Sequence, residues 1–235
     1  MTFKLPFWLL TGSCVITYMS VFPYIQIASD LIQKKYNIDS TTAGKMFGVP
    51  YIISAILSPF LGILIDRIGR RALLVTFSSV ILIITFLISM NLPGKQGSML
   101  ELLPLCMVGV GYSIYCAAIW GSIPYTVQPQ TVGTAFGITT AIQNIGLAIA
   151  PTIVGLIKDH THRDHGYFWV NAFFILINII GLSLNGWLYV VDLKYYDGVL
   201  NKVDQGDQIA DLMTTPTQDQ RKQLIRESMS KAQQR

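Results

Sequence analysis

Residues 62–71 read Gly62-Ile63-Leu64-Ile65-Asp66-Arg67-Ile68-Gly69-Arg70-Arg71, a charged segment between two long uncharged runs. No charged residue occurs at 46–65, before its aspartate, or at 72–94, after its last arginine. About 20 consecutive apolar residues span a bilayer as a helix, and a helix satisfies its own backbone hydrogen bonds in lipid. The segment is therefore predicted to be a tight turn between two membrane helices.

Six residues of this segment suit a turn at the membrane surface: Gly62, Asp66, Arg67, Gly69, Arg70 and Arg71. Gly62 lies one helical turn before Asp66, where the lack of a side chain lets a neighbouring helix approach closely. Gly69 tolerates the left-handed backbone that ends a helix. The arginine side chains are long enough to reach the aqueous interface.

The composition places the whole chain among membrane proteins. Of its 235 residues, 51% are hydrophobic and only 13% are charged, and the mean hydropathy is positive. The net charge of +4 is too small to indicate a nucleic-acid partner. The three cysteines lie in apolar runs without C-x-x-C spacing, so no disulfide framework or metal site is predicted. The first apolar run is too long for a signal peptide and is predicted to be a membrane helix.

Six uncharged runs predict an all-α membrane protein with six transmembrane helices, at 5–29, 46–65, 72–92, 102–127, 134–157 and 166–191. The uncharged stretch 102–157 is too long for one span and is divided at Gln128-Pro-Gln-Thr-Val-Gly133, where proline and glycine favour a turn. Residues 30–45 are predicted to be a loop. Residues 1–192 thus form the helical unit, and the polar residues 193–235 are predicted to be a solvated tail.

The pattern G-x-x-x-D-R-x-G-R-R at 62–71 resembles the signature loop of the major facilitator superfamily at every position. Further similarity, in Ala117-Ala-Ile-Trp120 and Ala141-Ile-Gln-Asn-Ile-Gly-Leu-Ala-Ile149, is to the lysosomal dipeptide uniporters of that superfamily; residues 18–25, 51–59 and 132–137 are also alike. Facilitators consist of two six-helix halves. The resemblance therefore implies that this chain is the C-terminal half of a twelve-helix major facilitator fold.

The resemblance also implies a function: transport by alternating access, with a dipeptide as the substrate and without a cofactor. It implies a lipid bilayer of the lysosome or another endomembrane, with both chain ends and the 62–71 turn in the cytoplasm. The basic residues are divided between the two sides and do not indicate an orientation themselves. The implied partners are the missing N-terminal six-helix half or a second copy, and a glycosylated lysosomal accessory membrane protein.

Other functions stay open at this point. The chain is also compatible with a facilitator for another small organic solute, such as a monocarboxylate or a sugar. It is equally compatible with a degenerate half-transporter that serves as a structural subunit of a membrane assembly. The sequence contains no Ser-His-Asp order, HExxH motif or P-loop, so no enzyme is predicted.

Five uncharged side chains are the candidates for a substrate-binding cavity: Tyr18, Gln26, Trp120, Gln143 and Asn144. Tyr18 and Gln26 share a helical face with Phe22, because the three are spaced by four residues. Amides in hydrocarbon need hydrogen-bond partners, so the alternative role for each is to join two helices. No acidic or basic side chain lies deep inside a predicted span, and no proton-coupling residue is predicted.

Asp66 is the candidate gating residue. A carboxylate can accept hydrogen bonds from the N–H groups at the start of a facing helix, and the resemblance implies that this helix belongs to the missing half. Arg70 is expected to hold Asp66 in place. The alternative is a solvated ion pair of little energetic value.

Three histidines, His160, His162 and His165, lie with two aspartates between the fifth and sixth predicted spans. Because histidine changes its charge near neutral pH, such a cluster can bind a metal or sense pH. A solvated loop with neither role is the favoured interpretation, and no metal site is predicted.

Overall fold

Helices dominate the described part of the protein, which comprises residues 3–161 and 166–202 of a computed structural model. The six long helices are α1 Leu5–Tyr36, α2 Ser40–Ile68, α3 Arg71–Asn91, α4 Leu102–Ser122, α5 Val132–Asp159 and α6 Tyr167–Tyr195. Short 3₁₀ turns occur at Ile123–Thr126, Pro129–Thr131 and Val199–Asn201. Each long helix is apolar enough to cross a membrane, which confirms the predicted all-α membrane fold. The solvated tail predicted at 193–235 is wrong for its first part, because α6 continues to Tyr195 and both Val199 and Leu200 are buried. Residues 203–235 lie outside the described residues.

The connection between α1 and α2 is shorter than the loop predicted at 30–45, and that prediction is wrong. α1 continues to Tyr36 and α2 begins at Ser40. Asn37, with φ 51°, ends α1 in the left-handed conformation. The Thr42 backbone N–H donates to Asp39 Oδ2 at 2.8 Å, which caps α2 and lowers the pKa of the Asp39 carboxyl. Both helices therefore extend beyond their predicted apolar spans and include the charged residues of the predicted loop.

The turn between α2 and α3 has the predicted break at Gly69. The Gly69 N–H donates to the Ile65 carbonyl at 2.8 Å, and its φ of 68° with ψ of −127° is a conformation that a side chain disfavours. Arg70 follows with φ 51°, and α3 begins at Arg71. The charged turn is thus only two residues long, so the ends of α2 and α3 are held close together.

The helices α1 and α4 lie at the centre of the bundle. Within the described part, 61% of the apolar window of α1 and 50% of that of α4 are buried, against 11% for α2 and 22% for α5. α4 packs between α2 and α3, α1 packs on α5 and α6, and α3 packs on α6. The helices α2 and α5 therefore leave most of their apolar surface uncovered.

Two glycines let helices approach closely at these contacts. A Cβ atom on Gly109 of α4 would lie 3.0 Å from Ile53 Cβ and 3.1 Å from Pro50 Cα of α2. A Cβ atom on Gly146 of α5 would lie 2.7 Å from Val15 Cγ1 of α1. These distances are shorter than an ordinary van der Waals contact, so small residues are needed at both crossings.

Candidate functional site

Three helices present uncharged side chains at intervals of four residues, which places each set on one helical face. We call these nine residues the aromatic wall: Tyr18, Phe22 and Gln26 on α1, Tyr112, Cys116 and Trp120 on α4, and Phe136, Thr140 and Asn144 on α5. The contacts between rings from the three helices make the wall continuous at its aromatic end.

The wall is partly open in the described part of the chain. Along α1, exposure rises from Tyr18, which is 6% exposed, through the half-buried Phe22 to the exposed Gln26. The three residues from α4 are all half-buried, although most of their neighbours on that helix are buried. On α5, Thr140 and Asn144 are exposed. Ring edges, hydroxyls and amides are therefore available to a bound solute.

The Tyr18 hydroxyl is the centre of the hydrogen bonds in the wall. It accepts from Trp120 Nε1 at 2.9 Å and from the Tyr112 hydroxyl at 3.4 Å. The Cys116 Sγ lies 3.4 Å from the same oxygen. These contacts join α1 to α4 and fix the direction of the Trp120 indole, because its single N–H has one well-placed acceptor.

Ring packing holds the remaining aromatic residues. Phe22 stacks on Tyr18, with centroids 5.2 Å apart, and meets Tyr112 edge-on at 5.5 Å. Phe136 lies parallel to Trp120 at 6.0 Å, with an interplanar angle of 10°. Offset-stacked and edge-on pairs are favourable beyond the area they bury. The aromatic residues of the wall are therefore held against one another by contacts within the bundle.

The structure brings together some of the five predicted cavity residues and separates others. Tyr18 and Trp120 are in direct contact, and Gln26 and Asn144 lie on the exposed parts of their stripes. Gln143 is buried and points into the bundle, with its Oε1 4.0 Å from the Cys14 Sγ. Adjacent helical residues point about 100° apart, so Gln143 and Asn144 do not share a surface.

Five members of the wall are not among the predicted cavity residues: Phe22, Tyr112, Cys116, Phe136 and Thr140. Each lies four residues from a predicted candidate or from another member of its stripe. The spacing was therefore visible, but only the contacts across α1, α4 and α5 indicate which of several possible stripes face one another.

At the α2–α3 turn, Asp66 is paired with Arg71 rather than with Arg70. Arg71 Nη2 donates to Asp66 Oδ1 at 3.1 Å, with the aspartate side chain 73% exposed and the arginine side chain 2% exposed. The expected pairing with Arg70 is wrong because Arg70 adopts the left-handed backbone before α3. The Arg71 guanidinium also lies 4.5 Å from the centre of the Tyr125 ring, a cation–π contact.

The other predicted gating residues differ in exposure. Arg67 and Arg70 have exposed side chains, whereas Gly69 is buried. A Cβ atom on Gly62 would meet no described atom within 4 Å. Within the described residues, no neighbouring helix packs closely against Gly62.

Glu101 is a buried charged residue that the sequence did not single out. Its carboxylate accepts from the Tyr24 hydroxyl at 2.9 Å, from the Tyr36 hydroxyl at 2.9 Å and from the Ser89 hydroxyl, and it is 0% exposed. Lys35 Nζ donates to the Ser89 carbonyl at 3.1 Å. The start of α4 is thereby joined to α1 and α3 at the end of the bundle opposite the α2–α3 turn.

The histidine loop is described only in part. His160 is exposed, and its Nδ1 lies 2.9 Å from the Leu156 carbonyl oxygen. His162 and His165 lie outside the described residues.

Residues 8–222 match the Major Facilitator Superfamily. The chain is 32% identical over 190 residues to the lysosomal dipeptide transporter MFSD1 of Homo sapiens, a match covering 81% of this chain and 39% of the human protein. It is 32% identical over 199 residues to the Danio rerio protein of the same name, covering 85% and 41%.

A bacterial relative is more distant. The uncharacterized MFS-type transporter YfkL of Bacillus subtilis is 28% identical over 167 residues, which cover 68% of this chain and 39% of that protein. The chain thus spans about two fifths of the length of the curated relatives it matches. Because the family match covers nearly all of the six-helix unit, this chain belongs to the Major Facilitator Superfamily.

Proposed function

We propose that this chain is the C-terminal half of a facilitator that transports dipeptides across the lysosomal membrane by alternating access. The observation that supports this most strongly is the aromatic wall, a partly open surface of nine uncharged residues on α1, α4 and α5 whose rings pack against one another. A facilitator must hold its solute in two alternately exposed states. A surface without fixed charge binds a solute without trapping it.

A second six-helix bundle is part of the proposal. Large apolar side chains remain uncovered along α2, such as Ile56, which is 60% exposed, and Phe60, which is 69% exposed. On α5, Ile145 is 60% exposed. We take the occupant of these two helices to be a second six-helix half, as the family resemblance implies, with a second copy of this chain as the alternative. Cytoplasmic chain ends and a glycosylated accessory membrane protein are further expectations from that resemblance.

The wall suggests which part of a dipeptide each of the two bundles binds. Its rings and the Gln26 and Asn144 amides suit the body of a peptide, through stacking and through hydrogen bonds to the amide group. It offers no counter-charge for the peptide's ammonium and carboxylate ends. In this proposal the second bundle binds the charged ends.

The proposed site is tested by replacing Asn144 in the intact two-bundle protein. We expect Asn144→Ala to weaken dipeptide binding about 2- to 12-fold, because one hydrogen bond to the substrate is lost. Binding is measured as the dipeptide-dependent shift in unfolding temperature, and transport as counterflow of a labelled dipeptide into proteoliposomes. Asn91→Ala is the matched control, because Asn91 is also an exposed asparagine but lies at the end of α3.

Two results would contradict this proposal in different ways. Unchanged affinity and counterflow in Asn144→Ala would remove Asn144 from the site but leave the transporter in place. A wild-type protein that binds and exchanges no dipeptide, yet exchanges a monocarboxylate or a sugar, would replace the proposed substrate. Absence of any solute exchange would favour the structural-subunit alternative.

The gating role of Asp66 is a separate prediction. Asp66→Asn removes the charge that faces Arg71, and by the proposal it also replaces a charged acceptor for the start of a helix in the second bundle with a weaker neutral one. We expect the population with an open cavity on the α2–α3 side to rise, since coupling energies of this kind correspond to about 5- to 150-fold changes in an equilibrium. The measurement is the rate at which a cysteine introduced on that side is labelled by a membrane-impermeant reagent. An unchanged labelling rate in Asp66→Asn, with Asp159→Asn as the control, would exclude the role.

A further inference from the structure

The chain after α6 folds back onto the α2–α3 turn. The Tyr196 and Gly198 N–H groups both donate to the Asp192 carbonyl, at 3.1 and 2.9 Å. Asp197 and Gly198 have φ values of 55° and 67°, which reverse the chain direction. A 3₁₀ turn at Val199–Asn201 follows. We call residues 198–201 the C-terminal clasp.

A buried carboxylate holds the clasp to the end of α6. Asp192 is 1% exposed, and its Oδ1 accepts from the Leu200 N–H at 3.1 Å. Its Oδ2 accepts from Asn201 Nδ2 at 2.9 Å. Hydrogen bonds to a charged group are the stronger kind, so both oxygens of Asp192 are committed to positioning the clasp.

The clasp in turn contacts the turn that carries the candidate gate. The Asn201 carbonyl accepts from the Arg70 backbone N–H at 3.2 Å. Leu200 is buried in the same apolar cluster as Ile65 at the end of α2 and Ala72 at the start of α3. A backbone bond and apolar packing therefore join the last described residues to both sides of the turn.

A second route leads from the clasp to the Asp66–Arg71 pair. Val199 is buried, and Tyr125 packs against it. The same tyrosine ring lies under the Arg71 guanidinium, 4.5 Å from its centre, and Arg71 is the partner of Asp66. The clasp thus contacts Arg71 through the Tyr125 ring, and it binds the backbone N–H of Arg70, the residue before it.

Some buried polar atoms around this junction have no partner among the described residues. They are Arg71 Nε, Arg71 Nη1 and Asn201 Oδ1. Buried donors and acceptors without a partner cost free energy. The two Arg71 nitrogens can still donate hydrogen bonds, and the Asn201 Oδ1 can still accept one. These atoms are available to form new hydrogen bonds if the turn moves.

We infer that the C-terminal clasp is a positioning element for the gate, in which Asp192 and Asn201 hold Arg70 and thereby orient Arg71 toward Asp66. The structural coupling between clasp and turn stands by itself, whereas its effect on access rests on the proposed transport function. Asp192 and Asn201 act through other residues and have no contact with a solute in this proposal.

The coupling is tested by amide hydrogen exchange of the intact protein in lipid nanodiscs, followed by mass spectrometry. Asp192→Asn removes the charge and one of the two acceptors at the base of the clasp. We expect exchange to accelerate about tenfold in two separate peptides, one covering 196–202 and one covering 66–74, which is the factor expected for the loss of a hydrogen bond to a charged group. The double variant Asp192→Ala/Asn201→Ala removes the remaining side-chain bond and should give a larger effect.

A matched control lies in the same turn. Asp197 is exposed and has the left-handed backbone that asparagine also tolerates, so Asp197→Asn removes a charge without touching the clasp bonds. Exchange in both peptides should stay at the wild-type rate. Protection of α4, residues 102–122, in all variants shows that the bundle still folds.

The inference is overturned if the clasp peptide exchanges faster in the double variant while 66–74 stays protected. It is also overturned if neither peptide responds to the double variant. If both peptides respond but labelling of the α2–α3 side is unchanged, the clasp holds the turn and has no part in gating. A protein that shows the coupled exchange but transports no solute would refute the proposed function and leave the coupling intact.

Discussion

Replacing Glu101 with alanine is expected to lower the free energy of unfolding by about 3–5 kcal/mol, because several buried hydroxyls lose a shared acceptor. The carboxylate receives hydroxyl groups from Tyr24, Tyr36 and Ser89, and none of the four residues is exposed. Without the carboxylate, the three buried hydroxyls lose the acceptor that they share, although the Tyr24 hydroxyl keeps a longer contact of 3.4 Å to Ser89 Oγ. A buried hydroxyl that loses its acceptor costs about 1–3 kcal/mol, so the loss at the junction of α1, α3 and α4 is large even with partial re-pairing.

Equilibrium unfolding of the intact protein in mixed micelles measures this loss. Glu101→Gln keeps one acceptor oxygen and the shape of the side chain, and we expect less than half the effect of alanine. Asp159→Ala removes an exposed carboxylate from the end of α5 and should change stability by no more than about 0.5 kcal/mol. A Glu101→Ala protein as stable as that control would show that the hydroxyls find other partners.

The second large effect is expected at the crossing of α1 and α5. A Cβ atom on Gly146 would lie 2.7 Å from Val15 Cγ1 and 2.9 Å from Met19 Cγ. Val15 is β-branched and stiff, so the helices must separate to admit even a methyl group. We expect Gly146→Ala to destabilise the protein by about 1–3 kcal/mol, the usual cost of overpacking a core.

This prediction runs against helix propensity, which makes it a sharp test. Alanine favours a helix over glycine by about 1 kcal/mol, so Gly146→Ala would be stabilising if propensity alone mattered. Gly186→Ala is the control, because a Cβ atom on Gly186 of α6 meets no described atom within 4 Å. The double variant Gly146→Ala/Val15→Ala should recover much of the loss. Equal stability of the two single alanine variants, measured by the same unfolding experiment, would rule out the clash.

The Gly146 and Glu101 variants should also differ in their effect on solute binding. Gly146 lies on α5 near the exposed Asn144, so a forced separation of α1 from α5 should also weaken solute binding at the aromatic wall. Glu101 lies at the far end from the α2–α3 turn and has no contact with the wall. Its replacement should reduce the amount of folded protein, while the molecules that fold keep their affinity for the solute.

The placement of the candidate site was predictable only to a limited degree. Tyr18 and Trp120 were identified from residue type, and the structure joins them by a hydrogen bond of 2.9 Å. Gln143 and Asn144 were predicted together because they are adjacent in the sequence, yet Gln143 is buried toward Cys14 and Asn144 is exposed. Adjacent side chains on a helix point about 100° apart. Which of the two is buried depends on where the neighbouring helices pack, and the sequence does not show this.

What the sequence determined by itself was the number and type of elements. Long uncharged runs and the Gly-Asp-Arg turn require membrane helices, because the cost of exposing charge and backbone polar groups to lipid is a property of each segment alone. The burial of Glu101, Arg71 and Asp192 was decided by tertiary structure. All three lie at the ends of apolar runs, where sequence predicts solvent. Hydroxyls and a ring from distant segments surround Glu101 and Arg71, and amides of the turn that folds back after α6 surround Asp192.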